Sequence, residues 1–340
     1  MRAAVLHEYG MPFSVQEWPD PEPGEGEVRV RIGGAGACHS DLHIWHGHAH
    51  PGVPVPRILG HENAGWVEEL GPGAAGFEIG EPVVVFGGWG CGQCGFCLGG
   101  QEQMCDTLRW GGLQPPGGYA EYYVVPSTRH LVRLGELDPV LAAPLTDAGL
   151  TPYRAVRKVV PQLARGGTCA LLIGAGGLGQ MALQLVKLLT GAKAIVADTS
   201  AEKRGIAQRL GADVVVDPAD PEVVGAIRGA AGTEGATVVL DFVGVDETLA
   251  LAAATVGRQS TVVLVGLAGG SVPFNFFGWP PEVVLTTSNW GSRNELAEVV
   301  ALARDGLLTV EVERSRLDAI NDVFARLERG EIKGRAVLVP

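Results

Sequence analysis

The chain has 340 residues, and 26 Lys and Arg stand against 38 Asp and Glu, which gives a formal net charge of −12. This balance argues against a nucleic-acid or anionic-membrane surface. Hydrophobic residues make up 46% and charged residues 19%, so the composition is that of a globular chain, long enough for two domains.

Neither the first residues nor the apolar stretches predict a membrane partner. The segment MRAAVLHEYG has only a short apolar run and no signal-peptide core. The longest apolar helical stretch, residues 178–189, is interrupted by Gln180, Gln184 and Lys187, which is not expected of a bilayer span. We therefore expect a cytoplasmic protein.

The first half of the chain predicts short strands. The segments MRAAVLHEY and EVRVRIGGAG show β-type alternation on either side of the turn PDPEPG. The pattern continues through residues 64–90 and again in YAEYYVVP and HLVRL. Fifty glycines in the whole chain, many of them in this half, fit a β-rich domain with tight turns.

Two segments of this half carry metal-binding residue types. They are C-H-S-D-L-H at 38–43 and G-H-E at 60–62. Cys38 and His61 suit zinc, and a catalytic zinc needs about three protein ligands and one open position. Either residue, taken singly, could instead be an ordinary core residue.

Four cysteines then follow at short spacing, namely Cys91, Cys94, Cys97 and Cys105. Four thiolates suit one tetrahedral zinc, and a closed shell has no position for substrate. We therefore predict a structural zinc in a lobe at about 88–108. Two disulfides or an iron–sulfur cluster are the alternatives. The first needs an oxidising compartment, and the second usually has other spacings.

From residue 168 the chain alternates strictly between strand and helix patterns. The apolar run TCALLIG predicts a buried strand, and the helix LGQMALQLVKLL follows it. Further strands are predicted at AKAIVAD, ADVVVD, ATVVLDFVG, QSTVVLVGLAG and residues 283–288. This alternation predicts a parallel, doubly wound sheet. The tail after about residue 290 lacks the repeat, so we expect it to rejoin the first domain.

A G-x-G-x-x-G motif directly follows the first of these strands and opens a helix. In that context Gly174 is predicted to make the turn, Gly176 to let the backbone approach a pyrophosphate, and Gly179 to let the helix pack on the strand. Gly177 and Leu178 open the helix, whose free N–H groups face the phosphates.

An acidic residue, Asp198, ends the next strand. Its carboxylate can accept hydrogen bonds from the adenosine ribose and would repel a 2′-phosphate, which favours NAD over NADP. Lys203 and Arg204 lie just beyond it and weaken that preference a little. Either could contact the ribose edge or could be an ordinary solvated helix residue.

In their order and spacing these motifs resemble the zinc-containing medium-chain alcohol dehydrogenases over essentially the whole chain. The motifs are C-x-S-D-x-x-H at 38–43, GHE at 60–62, the four-cysteine lobe and the GxGxxG with its acidic partner. The resemblance implies an α/β protein with a GroES-like catalytic domain, placed at 1–149 and 291–340, and an inserted Rossmann NAD-binding domain at 150–290. It also implies two zinc ions per chain, one catalytic and one structural.

The resemblance further implies the ligands of the catalytic zinc. Cys38 and His61 bind it, and Glu62 is the neighbouring carboxylate that can approach the metal during ligand exchange. The family often supplies a cysteine as third ligand, but this chain has Asp147 at the matching position, in PLTDAGLT. Asp147 is therefore predicted as the third ligand. Its alternative role is to cap the helix that begins near Leu150.

The mechanism that the resemblance implies is hydride transfer from an alcohol to NAD. Zinc lowers the pKa of the alcohol hydroxyl, and Ser40 takes the proton and passes it through the nicotinamide ribose. His43 exchanges this proton with solvent. Asp41 is expected to orient His61 through its free ring nitrogen.

Two further residues are assigned to NAD by the same resemblance. Thr151 matches the residue that packs behind the nicotinamide, and Arg335 matches a pyrophosphate-binding arginine. The histidines at 46, 48 and 50 predict a solvated loop near the substrate entrance, with a third metal site as the alternative.

The predicted function is a zinc- and NAD-dependent alcohol dehydrogenase (EC 1.1.1.1) for secondary or medium-sized alcohols. We expect a homodimer or homotetramer, for which the strand at 283–288 could be a joining edge. Polyol, threonine or formaldehyde dehydrogenases of the same family remain open, as does a catalytically silent nucleotide-binding member.

Overall fold

The computed structural model describes residues 1–47, 54–114, 116–232 and 234–340. The contacts between residues divide the chain into two units. The first unit comprises Met1–Leu150 and Gly291–Pro340, and the second comprises Thr151–Trp290.

The first 150 residues form short strands and shorter helices. The strands are β1 (Arg2–Leu6), β2 (Ser14–Glu17), β3 (Val28–Ala37), β4 (Arg57–Ile58), β5 (Glu62–Leu70), β6 (Pro82–Val85), β7 (Gly88–Trp89), β8 (Arg109–Trp110), β9 (Tyr122–Val125) and β10 (Leu131–Arg133). The α-helices in this segment are α1 (His39–Trp45), α2 (Gly95–Leu98) and α3 (Pro139–Ala142). Single 3₁₀ turns lie at Glu102–Met104, Thr128–His130 and Ala143–Thr146.

The second unit alternates strands with helices. Its elements are α4 (Leu150–Leu163), β11 (Cys169–Ile173), α5 (Gly177–Leu189), β12 (Lys193–Ala197), α6 (Ala201–Arg209), β13 (Val214–Val216), α7 (Val223–Ala231), β14 (Ala236–Asp241), α8 (Asp246–Thr255), β15 (Val256–Leu264) and β16 (Val284–Thr287). Every neighbouring pair of strands is parallel, in the order β13-β12-β11-β14-β15-β16. The doubly wound parallel sheet predicted from the sequence is confirmed.

The C-terminal segment returns to the first unit. It forms α9 (Arg293–Arg304), β17 (Val312–Arg316), a 3₁₀ turn at Leu317–Ala319, α10 (Ile320–Glu328) and β18 (Arg335–Val339). Strand β18 pairs antiparallel with β3 and parallel with β17. The start of α9 has a capping box, because Ser292 accepts from the Glu295 amide while the Glu295 carboxylate accepts from the Ser292 amide.

The strands of the first unit form two main sheets. One has the order β2-β1-β4, and the other has the order β10-β6-β5-β3-β18-β17 with β9 also paired to β3. Fully buried side chains such as Leu6, Tyr119 and Phe324 pack in one apolar cluster with these sheets. Burying one such side chain contributes about 1.5–3 kcal/mol.

The pairing of β3 with β5 positions the site described below. Gly36, near the end of β3, is the partner of Glu62, the first residue of β5. The turn into α1 therefore lies beside the residue that precedes β5, which is His61. Among the described residues, every helix is too short or too polar to cross a membrane.

Candidate functional site

Three segments that lie far apart in the sequence bring metal-binding side chains together in the first unit. Cys38 follows β3 and is the N-cap residue of α1. His61 precedes β5, and Asp147 follows the 3₁₀ turn at Ala143–Thr146. One ligand atom from each of these residues, and one from Glu62, lie within 4.8 Å of one another.

The distances in this cluster fit a tetrahedral zinc. Cys38 Sγ lies 3.4 Å from Asp147 Oδ2, and His61 Nε2 lies 3.8 Å from the same oxygen. Zn–S and Zn–O bonds of about 2.3 and 2.0 Å at a tetrahedral angle would separate sulfur and oxygen by about 3.5 Å. The cysteine, histidine and carboxylate present here therefore suit a catalytic zinc, whose site keeps an open position.

A buried carboxylate holds the metal-binding histidine. Asp41 is fully buried, and its Oδ1 lies 3.1 Å from His61 Nδ1. Its Oδ2 accepts from the Tyr119 hydroxyl at 2.8 Å and from the Cys38 amide at 3.1 Å. Asp41 thus contacts the segments that carry Cys38 and His61. Because it binds His61 at Nδ1, the other ring nitrogen, Nε2, can face the metal position.

The charge around His61 favours its protonated form when zinc is not bound. Burial lowers the pKa of His61, but Asp41 and Asp147 raise it, and the net pKa is well above the ordinary value. A protonated imidazole cannot ligate a metal. Zinc binding at this site must therefore release a proton.

Glu62 and Arg335 form a buried ion pair beside the cluster. Arg335 Nη2 lies 3.0 Å from Glu62 Oε1 and 3.7 Å from Asp147 Oδ2. Burial would lower the pKa of Arg335, but Glu62, Cys38 and Asp147 raise it, so the guanidinium stays charged. These contacts leave no signal in the sequence, and the assignment of Arg335 to a pyrophosphate stays a prediction.

The two residues predicted to move a proton both belong to α1. Ser40 Oγ lies 3.8 Å from Cys38 Sγ, and Ser40 is half-buried. His43 follows three residues later and so lies on the same face of the helix, also half-buried. Nearby, His46 Nε2 lies 2.8 Å from Glu328 Oε1, whereas residues 48 and 50 lie outside the described residues.

The four cysteines of the lobe also come together. Their sulfur atoms lie within 4.8 Å of one another, all four are free thiols, and Cys91 Sγ is 3.9 Å from Cys97 Sγ. Four Zn–S bonds of about 2.3 Å would place sulfurs about 3.8 Å apart. A hydrogen bond from Thr107 lowers the pKa of Cys105 to about 6, whereas burial raises the pKa of Cys97 to about 12, so Cys105 is the thiol that ionises more readily of the two. The lobe fits a closed structural zinc site.

The glycine motif of the second unit has the geometry that a dinucleotide site needs. Gly174 has φ of 92°, which a side chain would strain. A Cβ on Gly179 would lie 1.8 Å from the Gly174 carbonyl oxygen, so α5 packs directly on the turn. A Cβ on Gly176 would meet nothing within 4 Å, and this open space adjoins the first amides of α5, at Gly177 and Leu178. The turn and the open N-terminus suit a pyrophosphate.

Asp198 is hydrogen-bonded to Ala175 in this loop and to the neighbouring Ser200, and this edge is called the rim of the glycine motif below. Its Oδ2 accepts from the Ala175 amide at 2.7 Å, and its Oδ1 accepts from the Ser200 amide at 2.8 Å. The Lys203 amide donates to Ser200 Oγ at the start of α6. Thr151 lies in the first turn of α4 and is buried. The assignments of these side chains to NAD stay predictions.

Two family models match the chain. That of the alcohol dehydrogenase GroES-like domain matches residues 24–136, and that of the zinc-binding dehydrogenases matches residues 177–305. The first match covers the strands around Cys38 and His61 and the cysteine lobe. The second begins in the glycine motif.

Curated relatives and solved structures match over the full length. The D-arabinose 1-dehydrogenase (NADP(+)) of Saccharolobus solfataricus is 36% identical over 345 residues, covering 100% of this chain and 97% of that protein. The NAD-dependent alcohol dehydrogenase of Sulfurisphaera tokodaii is 35% identical and covers 100% of both. The crystal structure of the alcohol dehydrogenase from Aeropyrum pernix is 39% identical, with a TM-score of 0.93 and 100% coverage of both chains.

Proposed function

The chain belongs to the zinc-containing medium-chain alcohol dehydrogenase family, and we propose that it is itself an NAD-dependent alcohol dehydrogenase that interconverts secondary or medium-sized alcohols with ketones or aldehydes. The observation that carries this proposal is the convergence of Cys38, His61 and Asp147, three ligand types from separate segments. A silent nucleotide-binding protein would have no need of such a set. The proposed catalytic domain is residues 1–149 with 291–340, and the proposed NAD domain is residues 150–290.

The protein's own residues would serve an alcohol substrate as follows. Zinc, when bound by Cys38, His61 and Asp147, supplies a positive charge that lowers the pKa of the alcohol hydroxyl. Ser40, beside Cys38, would take the released proton while it passes its own on through the nicotinamide ribose, and His43 would exchange that proton with solvent. Asp41 keeps His61 oriented throughout. NAD, when bound, would accept the hydride of the alcohol carbon.

The cofactor proposed for this chain is NAD. Asp198 carries a negative charge at the rim of the glycine motif, where a ribose would bind and where a 2′-phosphate would be repelled. The relative from Saccharolobus solfataricus is named for NADP and for D-arabinose. Cofactor and substrate are therefore both to be tested, with 2-propanol, 1-phenylethanol, primary alcohols, sorbitol and D-arabinose against NAD and NADP.

The zinc content of an Asp147→Asn variant tests the site directly. Asparagine keeps the size of the side chain but removes the negative charge with which Asp147 would hold the zinc. We expect two zinc ions per chain in the wild type and one in the variant, with at least a thousandfold loss of alcohol oxidation, as expected when the metal's several kcal/mol of charge stabilisation are lost. Elemental analysis and NADH formation measure the two quantities.

The matched control is Asp138→Asn, which changes another aspartate of the same unit. Asp138 caps α3, a role that asparagine also fills. This control should keep two zinc ions and its activity. Two zinc ions and full activity in Asp147→Asn would show that Asp147 is not a ligand. Separately, a wild type that oxidises no secondary alcohol would contradict the proposed substrate class.

A further inference from the structure

Arg204 lies at the rim of the glycine motif, but its guanidinium is held in place. Its Nη1 donates to the main-chain oxygens of Asp198 and Thr199 at 2.6 and 2.9 Å. The same nitrogen lies 3.0 Å from Asp217 Oδ2, and only 19% of the arginine side chain is exposed. This nitrogen thus donates two main-chain hydrogen bonds and forms an ion pair with a carboxylate.

Asp217 lies at the edge of the parallel sheet at which a nucleotide would bind. It follows β13, and β13 is the parallel neighbour of β12, the strand that Asp198 follows. Both carboxylates therefore lie at the carboxyl ends of adjacent parallel strands, the edge at which such sheets bind nucleotides. The Asp217 carboxylate is itself fixed, because its Oδ1 accepts from the Ala219 amide at 2.9 Å.

We propose that Asp217 is a second determinant of cofactor choice, because it pairs with Arg204 and withholds that charge from an adenosine 2′-phosphate. The proposal rests on the NAD site proposed above. In Rossmann folds that take NADP, an arginine near this position accommodates the 2′-phosphate. Arg204 carries the same positive charge near the same position, but the carboxylate of Asp217 pairs with its guanidinium.

The charges at this rim explain why Asp198 alone would not determine the choice between NAD and NADP. Asp198 and Asp217 together outweigh Arg204 by one negative charge, and Lys203, near the start of α6, is the further positive charge close to this rim. Removing the charge of Asp217 leaves Asp198 and Arg204 balanced. It also removes the ion pair of the guanidinium, so that N–H groups not bonded to the main-chain oxygens can donate charge-assisted hydrogen bonds to a phosphate.

An Asp217→Asn variant tests the proposal, since asparagine keeps an oxygen for the Ala219 amide. We would measure the dissociation constants of adenosine 2′,5′-bisphosphate and of AMP by calorimetry, with the full zinc-loaded chain at constant ionic strength. The bisphosphate should bind about tenfold more tightly to the variant, as one charge-assisted hydrogen bond allows. AMP should bind as before, because it lacks the 2′-phosphate.

An Arg204→Gln variant separates release of the arginine from simple loss of negative charge. In that background Asp217→Asn should give a much smaller gain in bisphosphate affinity, because only the repulsion by one carboxylate is lost. The matched control is Asp213→Asn, which removes a carboxylate that precedes β13 and pairs with Lys187 at 3.0 Å. It should change the dissociation constant of neither ligand. Thermal scans of all variants check that each is folded.

Two results would overturn the proposal. One is an unchanged ratio of the two dissociation constants in Asp217→Asn. The other is an equal gain with and without Arg204, which would mean that only the field of Asp217 matters. If the wild type bound neither AMP nor NAD, the dinucleotide site itself would be wrong, and this proposal would fall with it.

Discussion

Tyr119 is connected to the histidine of the proposed zinc site through the carboxylate of Asp41. Its hydroxyl is 2.8 Å from Asp41 Oδ2, and Asp41 in turn contacts His61. Burial and the neighbouring Asp41 raise the pKa of Tyr119. The hydroxyl therefore stays protonated and donates a hydrogen bond to the Asp41 carboxylate. A phenol that never touches the metal can therefore influence how strongly His61 binds it.

Tyr119→Phe is predicted to weaken the catalytic zinc by about tenfold, which is at the lower end for partners that support a ligand. The structural zinc should be unaffected. Titration with a competing chelator measures both affinities. Tyr123→Phe is the matched control, because the buried Tyr123 hydroxyl has no hydrogen-bond partner in the described part of the chain. Equal zinc affinities in the two variants would contradict the role of Tyr119.

His130 makes the stability of the first unit sensitive to acid. It is buried, Arg129 Nε donates to its Nε2 at 3.3 Å, and burial together with Arg129 and Arg293 lowers its pKa from 6.5 to about 3. Between these two pH values the unfolded chain binds a proton that the folded chain does not. Stability therefore rises with pH through this window, and acid favours unfolding.

His130→Gln should remove this acid sensitivity. From pH 6.5 to pH 5 the wild type is predicted to lose up to about 2 kcal/mol relative to the variant, since one pKa unit corresponds to about 1.4 kcal/mol. Scanning calorimetry of both proteins at the two pH values gives the difference. Parallel losses of Tm in both proteins would mean that His130 is not the group responsible.

The cysteine lobe consists of elements too short to be stable alone. It holds the four-residue helix α2, a single 3₁₀ turn and the two-residue strands β7 and β8. Amide-to-sulfur hydrogen bonds join separate parts of the lobe, such as that from the Cys91 amide to Cys105 Sγ at 3.4 Å. In so small a substructure the metal supplies most of the folding free energy.

Cys94→Ser is predicted to lose the structural zinc and to lower the Tm by about 5 °C or more, while the catalytic zinc remains. Zinc analysis and thermal scanning measure these effects. Cys169→Ser applies the same chemical change to a buried cysteine of β11, outside the lobe, and should retain two zinc ions. A Cys94→Ser variant with two zinc ions would rule out the four-thiolate site.

The sequence predicts elements better than the contacts between them. The strands and helices of the second unit each carry their own periodic pattern, and the glycine motif carries its own turn, so the doubly wound sheet could be predicted. The pairs Glu62–Arg335 and Arg204–Asp217 could not, because neither pair leaves a periodic signal. Asp147 was predicted only by its place in a family pattern, since one aspartate has many ordinary roles.

At the scale of the whole molecule, the second unit has an edge that lacks a partner. Strand β16 pairs with β15 on one side and ends the sheet on the other, within the described residues. The segment before it exposes Phe276 and Phe277 by 90% and 94%. An exposed strand edge and exposed large apolar side chains are each typical of an interface.

We expect a second copy of the chain to cover this surface, with the two β16 strands antiparallel about a two-fold axis. Phe276→Ser with Phe277→Ser should then shift the protein from dimer or tetramer towards smaller species, with at least a tenfold weaker association, because two buried phenylalanines contribute several kcal/mol. Sedimentation equilibrium over a range of concentrations measures this. The matched control is Ile79→Ser with Leu98→Ser, which removes exposed apolar side chains from the first unit and should leave assembly unchanged. A wild type that stays monomeric at every concentration would show that the exposed phenylalanines serve another purpose.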